Sequence, residues 1–587
     1  MTALADLRRE LANRGLDGFV VPRADEHQGE YVAPSARRLT FLTGFTGSAG
    51  MAVVLQGRAA IFVDGRYTLQ VRHEVDESAF EIRHLIDEPP PKWVADALTA
   101  GQKLGFDPWL HTVDQVEALR AACLKAGAEL ISCPDNPLDA VWADRPAPPA
   151  SPVRPHDITH AGKSAQDKRA ELAAQLAADR LDAAVLTDPS SLAWLLNLRG
   201  ADVDFVPLPL GFAIAHADSS VQVFLAPDRL DSATLAHLGS GITILPPTAF
   251  AGALNALGRA GRRVRIDQTF APQAVLTALA GAAIDRGPDP CALPRACKNT
   301  VELAGSRAAH RRDGAAIVRF LAWLAAQDDI DELTAAERLE SFRRQGELYR
   351  GPSFPTIAGA GPNGAIVHYH STLSTNRRLE PGQLFLLDSG GQYLDGTTDV
   401  TRTIAIGGAD AQQRRAFTLV LKGHIALDSA VFPAGTTGPQ LDVLARQHLW
   451  RAGLDYDHGT GHGVGSFLSV HEGPQRIGKQ GHAAVALMPG MILSNEPGYY
   501  KTGAFGIRIE NLVVVSERPM PDGGEKPLLG FDTLTLAPID RTLIEPSLLE
   551  PSERAWINAY HARVAALLAP LLNPAEQAWL AAATYPV

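Results

Sequence analysis

Apolar positions along this chain follow helical and strand periods in blocks, and the blocks recur. Leu4, Leu7 and Leu11 lie three or four residues apart among charged neighbours, which predicts an amphipathic helix over residues 1–15. A strand-like run, Leu16-Asp-Gly-Phe-Val20, follows it. The same succession returns at a constant offset as Leu172, Leu176 and Leu181-Asp-Ala-Ala-Val185. Further on, Phe41-Leu-Thr-Gly44 and Trp194-Leu-Leu-Asn197 each lead into a glycine-containing turn and then into more strand-like runs. The pattern predicts two copies of one α/β domain.

A third segment opens differently. Asn299, with Glu302 three residues on, has the form of a capped helix start, and Ile317, Phe320, Leu321 and Leu324 give that helix an apolar face. Thr334-Ala-Ala-Glu337 has capping-box spacing and predicts a second helix. Pairs of apolar runs joined by Gly-rich turns follow and read as hairpins, with a further helix between them. Two Pro-rich stretches, residues 146–155 (PAPPASPVRP) and 287–294 (GPDPCALP), suit linkers, because proline fixes φ and removes a donor. The expected organisation is residues 1–150, a copy over 151–295, and a third domain over 296–587.

Composition narrows the class. A chain of 587 residues exceeds a single core, and about three or four domains are expected. The net charge of −11, without any Lys/Arg block, disfavours a nucleic-acid partner. Four cysteines are too few for a disulfide framework and none has zinc-ribbon spacing, which suits a reducing compartment. Charges embedded in the first helix exclude a signal-peptide core. The apolar stretch 564–572 is short and interrupted by Pro570, so neither a membrane span nor a lipid-anchor signal is expected. A soluble cytoplasmic protein is the expectation.

The chemistry concentrates in the third segment, where a duplication is visible. Pro381-Gly-Gln-Leu-Phe-Leu-Leu-Asp388-Ser-Gly390 aligns with Pro489-Gly-Met-Ile-Leu-Ser-Asn-Glu496-Pro-Gly498. Asp388 and Glu496 each close an apolar strand before a glycine turn. The returning strands carry Asp399 and Glu510, with a loop three residues longer in the second copy. A single Asp at a strand end is usually a turn or cap residue. Glu510 resists that reading, because it falls within the strand-like run 507–515, where an unpaired carboxylate is costly. Two related hairpins would aim all four carboxylates at one centre.

Eight of the 18 histidines fall between residues 368 and 482, and His458-Gly-Thr-Gly-His462-Gly-Val-Gly is the densest context. Glycines on both sides of His462 permit close approach and unusual backbone angles, which suits a ligand held in a loop. Four carboxylates and one imidazole form the donor set of two divalent cations held close together. A zinc site would favour more imidazole or thiolate, whereas oxygen-rich ligation with one histidine suits Mn²⁺, with Co²⁺ or Fe²⁺ next. His368 and His471 are catalytic candidates, while His370, His424, His448 and His482 read as structural or solvated. His471-Glu472 is not the helical HExxH motif, since Gly473 and Pro474 follow it.

Spaced Asp, Asp, His, Glu and Glu on paired hairpins resemble the ligand signature of the pita-bread metallopeptidases. The runs DSGGQYLDGTTDVTRT, HGTGHGVGSFLSVHEGP and NEPGYYKTGAFGIRIEN are most similar to the three-domain cytosolic aminopeptidase P group. So are YVAPSARRLTFLTGFTGSAG and FVDGRYTLQ near the start and LAWLLNLRGADV in the second segment, so the resemblance covers nearly the whole chain. It implies an α/β (α+β) fold, with two creatinase-like N-terminal domains ahead of a pita-bread catalytic domain. It also implies that Asp388 chelates one metal, Asp399 and Glu510 bridge both, and His462 and Glu496 complete the coordination of the other metal, with Zn²⁺ a further alternative to Mn²⁺.

The same resemblance implies a proton-shuttling, substrate-binding role for His368, a substrate contact for His471, and a pocket role for His458. His462 also borders the substrate, and Glu496 is the implied general base. Arg66, which by itself reads as a solvated turn residue, matches a substrate-contacting arginine of the N-terminal domain, in its own or a partner protomer's site. The implied reaction releases the N-terminal residue from peptides with proline second, by attack of a metal-bridging hydroxide. A homodimer is implied as well. Prolidase-type cleavage of Xaa-Pro dipeptides is the nearest alternative, although that group typically lacks the additional copied domain. A metal-free binding or scaffolding protein on the same fold is the alternative of a different class, and such relatives are expected to lose ligands.

Overall fold

The computed structural model describes residues 2–479 and 484–587, and His482 lies outside them. Two compact units are present. The first is Met1–Ile158 with Lys163–Ala292, and the second is Thr159–Gly162 with Leu293–Val587.

The first unit contains two six-stranded sheets of identical topology. In the first sheet, Gly18–Pro22 pairs antiparallel with Gly50–Leu55 and parallel with Lys103–Phe106. Ala59–Val63, Glu81–His84 and Glu129–Ser132 complete it. In the second, Ala183–Leu186 takes the central place, antiparallel to Phe212–His216 and parallel to Arg263–Ile266. The helix Ala3–Asn13 buries Leu4, Leu7 and Leu11, and Ala165–Ala178 buries Leu172 and Leu176 in the corresponding place. The helices ending at Thr43 and Leu196 both stop on a left-handed residue, Gly44 at φ 81° and Asn197 at φ 50°. Such a residue closes a helix while turning the chain into the next strand. The first Pro-rich stretch lies inside this unit, whereas the second ends it and passes into the short helix Ala292–Ala296.

The second unit opens with the helix Thr300–Leu324. Asn299 caps it, with the reciprocal bond from the Asn299 amide to Glu302 in place, and Ile317, Phe320, Leu321 and Leu324 are buried. The next helix, Glu332–Arg343, starts earlier than the Thr334 spacing predicts. Asp331 is the cap and accepts from the Thr334 amide at 2.8 Å. A carboxylate one residue before the helix satisfies an orphan amide and faces the positive end of the helix dipole, so it displaces the threonine from the role.

Strands then build a three-stranded sheet (Ile357–Ala360, Leu384–Ser389, Val400–Ala405) and a six-stranded sheet. Neighbouring strands of the latter include Gly461–Gly463, Ile492–Asn495 and Asn511–Arg518. Helices Ala411–Asp428 and Gly438–Trp450 lie between the two in sequence, and Pro551–Leu568 covers the core that Leu421, Ile507, Ile509 and Ile557 share. Among the described residues, no helix is long and apolar enough to cross a membrane.

Candidate active site

Each carboxylate pair is delivered by two antiparallel strands with a smaller hairpin set between them. In the first copy Leu384–Ser389 pairs with Val400–Ala405, and Gly391–Tyr393 with Gly396–Thr397 forms the inserted hairpin. In the second copy Ile492–Asn495 pairs with Asn511–Arg518, and Gly498–Lys501 with Phe505–Arg508 is inserted. The two ladders close at different points. Asp388 lies opposite Thr401, whereas the second ladder closes at Asn495–Asn511, leaving Glu496 and Glu510 just beyond it. This offset is two residues, so side chains keep their faces. Asp399, Glu496 and Glu510 therefore flank strand ends, and only Asp388 lies within a strand.

The run 507–515 is not one strand as its composition predicts. It breaks at Ile509 and Glu510, where the Glu510 amide leaves its own hairpin and donates to the Thr401 carbonyl at 3.2 Å. His462 also differs from its expected setting, because it lies in the short strand Gly461–Gly463 and not in a loop. Its flanking glycines serve close approach. A Cβ at Gly461 would stand 2.0 Å from the Ser494 carbonyl, and one at Gly463 would stand 2.1 Å from that of Glu472.

These elements bring six side chains together. Donor atoms of Asp388, Asp399 and Glu510 lie within 4.8 Å of one another, as do those of His462, Glu496 and Glu510, and those of Asp399, His462 and His471. His462 Nε2 is 3.4 Å from Asp399 Oδ2 and 3.6 Å from Glu496 Oε1. Burial and the neighbouring carboxylates hold Glu510 well above the usual carboxylate range. Burial likewise raises Glu496 and, against the opposing charge of Arg508, pushes Asp388 up to about 7. Burial works to lower His462, but its bond to Asp399 and the charge of Glu496 prevail and raise it to about 9.

Such a cluster of buried carboxylates is electrostatically expensive by itself. Asp388 Oδ1 and Asp399 Oδ1 are buried with no hydrogen-bond partner among the described residues. Asp388, Asp399, His462, Glu496 and Glu510 fit two divalent cations, which would occupy those orphaned oxygens and offset the clustered charge.

Comparison with known proteins agrees with this geometry. Residues 304–517 match the model of metallopeptidase family M24, and residues 527–587 match the C-terminal region of that peptidase. Residues 4–140 and 144–302 each match a creatinase/prolidase N-terminal domain. A probable Xaa-Pro aminopeptidase P of Aspergillus fumigatus is 42% identical over 580 residues, 96% of this chain and 88% of the relative. The chain belongs to metallopeptidase family M24. Another relative of the same description, from Coccidioides posadasii, is 40% identical over 96% of this chain and 95% of its own. Among M24 structures, an X-prolyl aminopeptidase from Caenorhabditis elegans, described as a cytosolic enzyme with a di-nuclear active site, matches all of both chains at TM-score 0.95 and 34% identity. An Xaa-Pro dipeptidase from Bacillus anthracis shares the fold over 64% of this chain, at TM-score 0.53 and 23% identity.

The remaining residues singled out for this M24 site are less concentrated. His471 stacks edge-on against His462, with ring centroids 4.3 Å apart. His458 is half-buried, 2.8 Å from the Tyr500 hydroxyl through Nε2 and 4.0 Å from Glu496 Oε2 through Nδ1. His368 is half-buried in the segment after the turn Gly361–Ala365 and is not among the six converging side chains. Arg66 belongs to the first unit, where Asp64 at 2.8 Å and Glu30 at 3.7 Å hold it; burial works to lower its pKa, but Tyr67, Asp64 and Glu30 prevail and raise it. His424, set aside as structural, is fully buried, and its Nε2 lies 3.1 Å from the side-chain amide of Asn511, the neighbour of Glu510.

Sequence reasoning missed Arg508, Thr401 and Tyr500. Arg508 is buried, pairs with Asp388 Oδ2 at 2.7 Å, and reaches the Tyr500 hydroxyl and Thr401 Oγ1. An arginine inside the apolar run Gly506-Ile-Arg-Ile509 was the available signal, since a buried guanidinium requires a carboxylate.

Proposed function

We propose that this chain removes the N-terminal residue from peptides whose second residue is proline, using two divalent cations held by Asp388, Asp399, His462, Glu496 and Glu510. It is a metal-dependent aminopeptidase. The observation that carries the reading is the meeting of both carboxylate hairpins at Glu510, which shares one set of donors with Asp388 and Asp399 and another with His462 and Glu496. Sequence identity above 40% over nearly the full chain to proteins described as Xaa-Pro aminopeptidase P supports the substrate class.

The bound cations would supply an activated water at neutral pH and polarise the scissile carbonyl. Glu496 would be the residue that accepts a proton from the attacking water. The Ser494 hydroxyl donates to its Oε1 at 3.1 Å and orients it. His471, beside His462 and Asp399, supports the developing oxyanion. The proline nitrogen must gain a proton to leave as an amine, and His368 is the residue assigned to that transfer. His458, bonded to Tyr500, completes the wall on the Glu496 side.

Oxygen-rich ligation favours Mn²⁺ over the alternatives. The full chain is organised as two N-terminal domains, residues 1–150 and 151–295, ahead of a catalytic domain at 296–587, which the shared topology of the two N-terminal sheets supports. A cytoplasmic location and a homodimer belong to the same proposal.

Metal-stripped protein reloaded with Mn²⁺ is expected to release arginine from Arg-Pro-Pro peptides. Lack of cleavage with every divalent metal tried would overturn the enzymatic reading, and elemental analysis showing no bound metal would favour a scaffold instead. Cleavage of Xaa-Pro dipeptides without tripeptides would favour a prolidase.

A further inference from the structure

The carboxylate of Glu332 is fully buried at the start of the helix Glu332–Arg343, and every partner it has in the structure is a donor. Oε1 accepts from the Ala360 amide at 2.7 Å and from Asn363 Nδ2 at 2.9 Å. Oε2 accepts from the Tyr369 hydroxyl at 2.8 Å and from the Arg377 amide at 3.0 Å. The same loop closes on itself around these bonds. Arg377 Nε donates to Asn363 Oδ1 at 3.1 Å, and the Tyr369 hydroxyl also reaches the Thr375 carbonyl at 2.9 Å. One carboxylate thus gathers the eighteen residues 360–377, which after the strand end at Ala360 have no regular structure beyond one 3-10 turn.

His368 lies in the middle of that segment, and the backbone on both sides of it is tied down. The Tyr369 ring packs against Ile357 and Leu386, and Leu386 shares a strand with Asp388. On the other side the Val367 carbonyl accepts from Arg508 Nη2 at 3.4 Å, the same guanidinium nitrogen that pairs with Asp388. A buried carboxylate is costly unless its lone pairs are filled, and here four donors on distinct parts of the loop fill them. No uncharged side chain of this size offers the same set of acceptors. Glutamine would turn an NH₂ group toward at least one of these donors.

We propose that Glu332 is a positioning residue for His368, holding the loop 360–377 so that His368 keeps a fixed place beside the strand of Asp388. This rests on the reading of His368 as a participant in proline-peptide cleavage. The test compares Mn²⁺-loaded Glu332→Gln, Tyr369→Phe, His368→Ala and the double variants with His368→Ala, using Arg-Pro-Pro. Glu332→Gln is expected to lower kcat on the order of tenfold or more, with KM within about twofold and full metal content. Tyr369→Phe, which removes one donor and keeps the ring, gives a smaller loss and carries the test if Glu332→Gln folds poorly. Neither change lowers kcat further once His368 is alanine. Faster tryptic cleavage after Arg377 in Glu332→Gln reports release of the loop without any turnover. Losses that multiply in the double variants, or full kcat in both single variants, would overturn the proposal. Full activity of His368→Ala would instead remove His368 from the reaction, and with it the target of the positioning.

Discussion

Thr401 and Glu510 join the two hairpin copies twice. The Thr401 hydroxyl donates to Glu510 Oε2 at 2.7 Å, and the Thr401 carbonyl accepts from the Glu510 amide at 3.2 Å. Thr401 is the ladder partner of Asp388, so one residue couples a carboxylate of the first copy to one of the second. The main-chain bond would survive substitution, but the hydroxyl bond would not. Thr401→Val is expected to weaken divalent-metal affinity by about tenfold to a hundredfold, with Thr401→Ser close to the parent. Competition with a fluorescent chelator measures this, and equal affinities for the valine variant would remove Thr401 from the site.

Metal loading should release protons. Burial and clustered charge raise Glu510 well above the carboxylate range and Asp388 to about 7, so the metal-free site carries protons at neutral pH that bound cations displace. Calorimetric titrations in buffers of different ionisation enthalpy are expected to show net proton release at pH 7, falling as the pH is raised. Buffer-independent heats at pH 7 would contradict this charge balance.

Stability depends on a second buried pair behind the first hairpin. Arg343 Nε meets Asp313 Oδ1 at 2.8 Å, both nearly inaccessible, and Tyr393 donates to the same carboxylate at 2.9 Å. Arg343→Met leaves Asp313 without its cation, and a loss of about 3–5 kcal/mol is expected in urea unfolding of the metal-loaded protein. Asp313→Asn combined with Arg343→Met should recover part of that loss, because no buried charge then remains.

In the first unit, His111 is fully buried, and burial lowers its pKa to about 4. The unfolded chain binds a proton near pH 6.5 that the folded unit refuses, so the stability present above pH 6.5 is lost as the pH falls toward 4. A shift of this size corresponds to about 3 kcal/mol. The unfolding free energy of His111→Gln, followed by denaturant titration between pH 7 and 4, is expected to vary less with pH than that of the parent. Parallel pH profiles would show that His111 is not responsible.

Much of the site is legible in the sequence. Asp388, Asp399, Glu496 and Glu510 stood out because two copies of one pattern placed acids where apolar strands end. His462 stood out because glycines crowd it. Asn299 and Glu302 showed their cap in the same way, through spacing along a single helix. Arg508 and Glu332 did not, since their partners lie 120 residues away at Asp388 and 37 away at Tyr369. Thr334 misled for a related reason, since a better acceptor stood three residues before it.

By itself the sequence determined which groups are available and on what local element each sits. Helical period, strand alternation and glycine tolerance are short-range properties, and they place four carboxylate donors on two copied hairpins and His462 between glycines. Only the tertiary structure decided what those donors face. The offset between the two ladders, the break at Ile509–Glu510 and the reach of Arg508 to Asp388 all follow from how distant strands register against one another. Register is set by the sum of packing and hydrogen bonds across segments far apart in the chain, which no local pattern encodes.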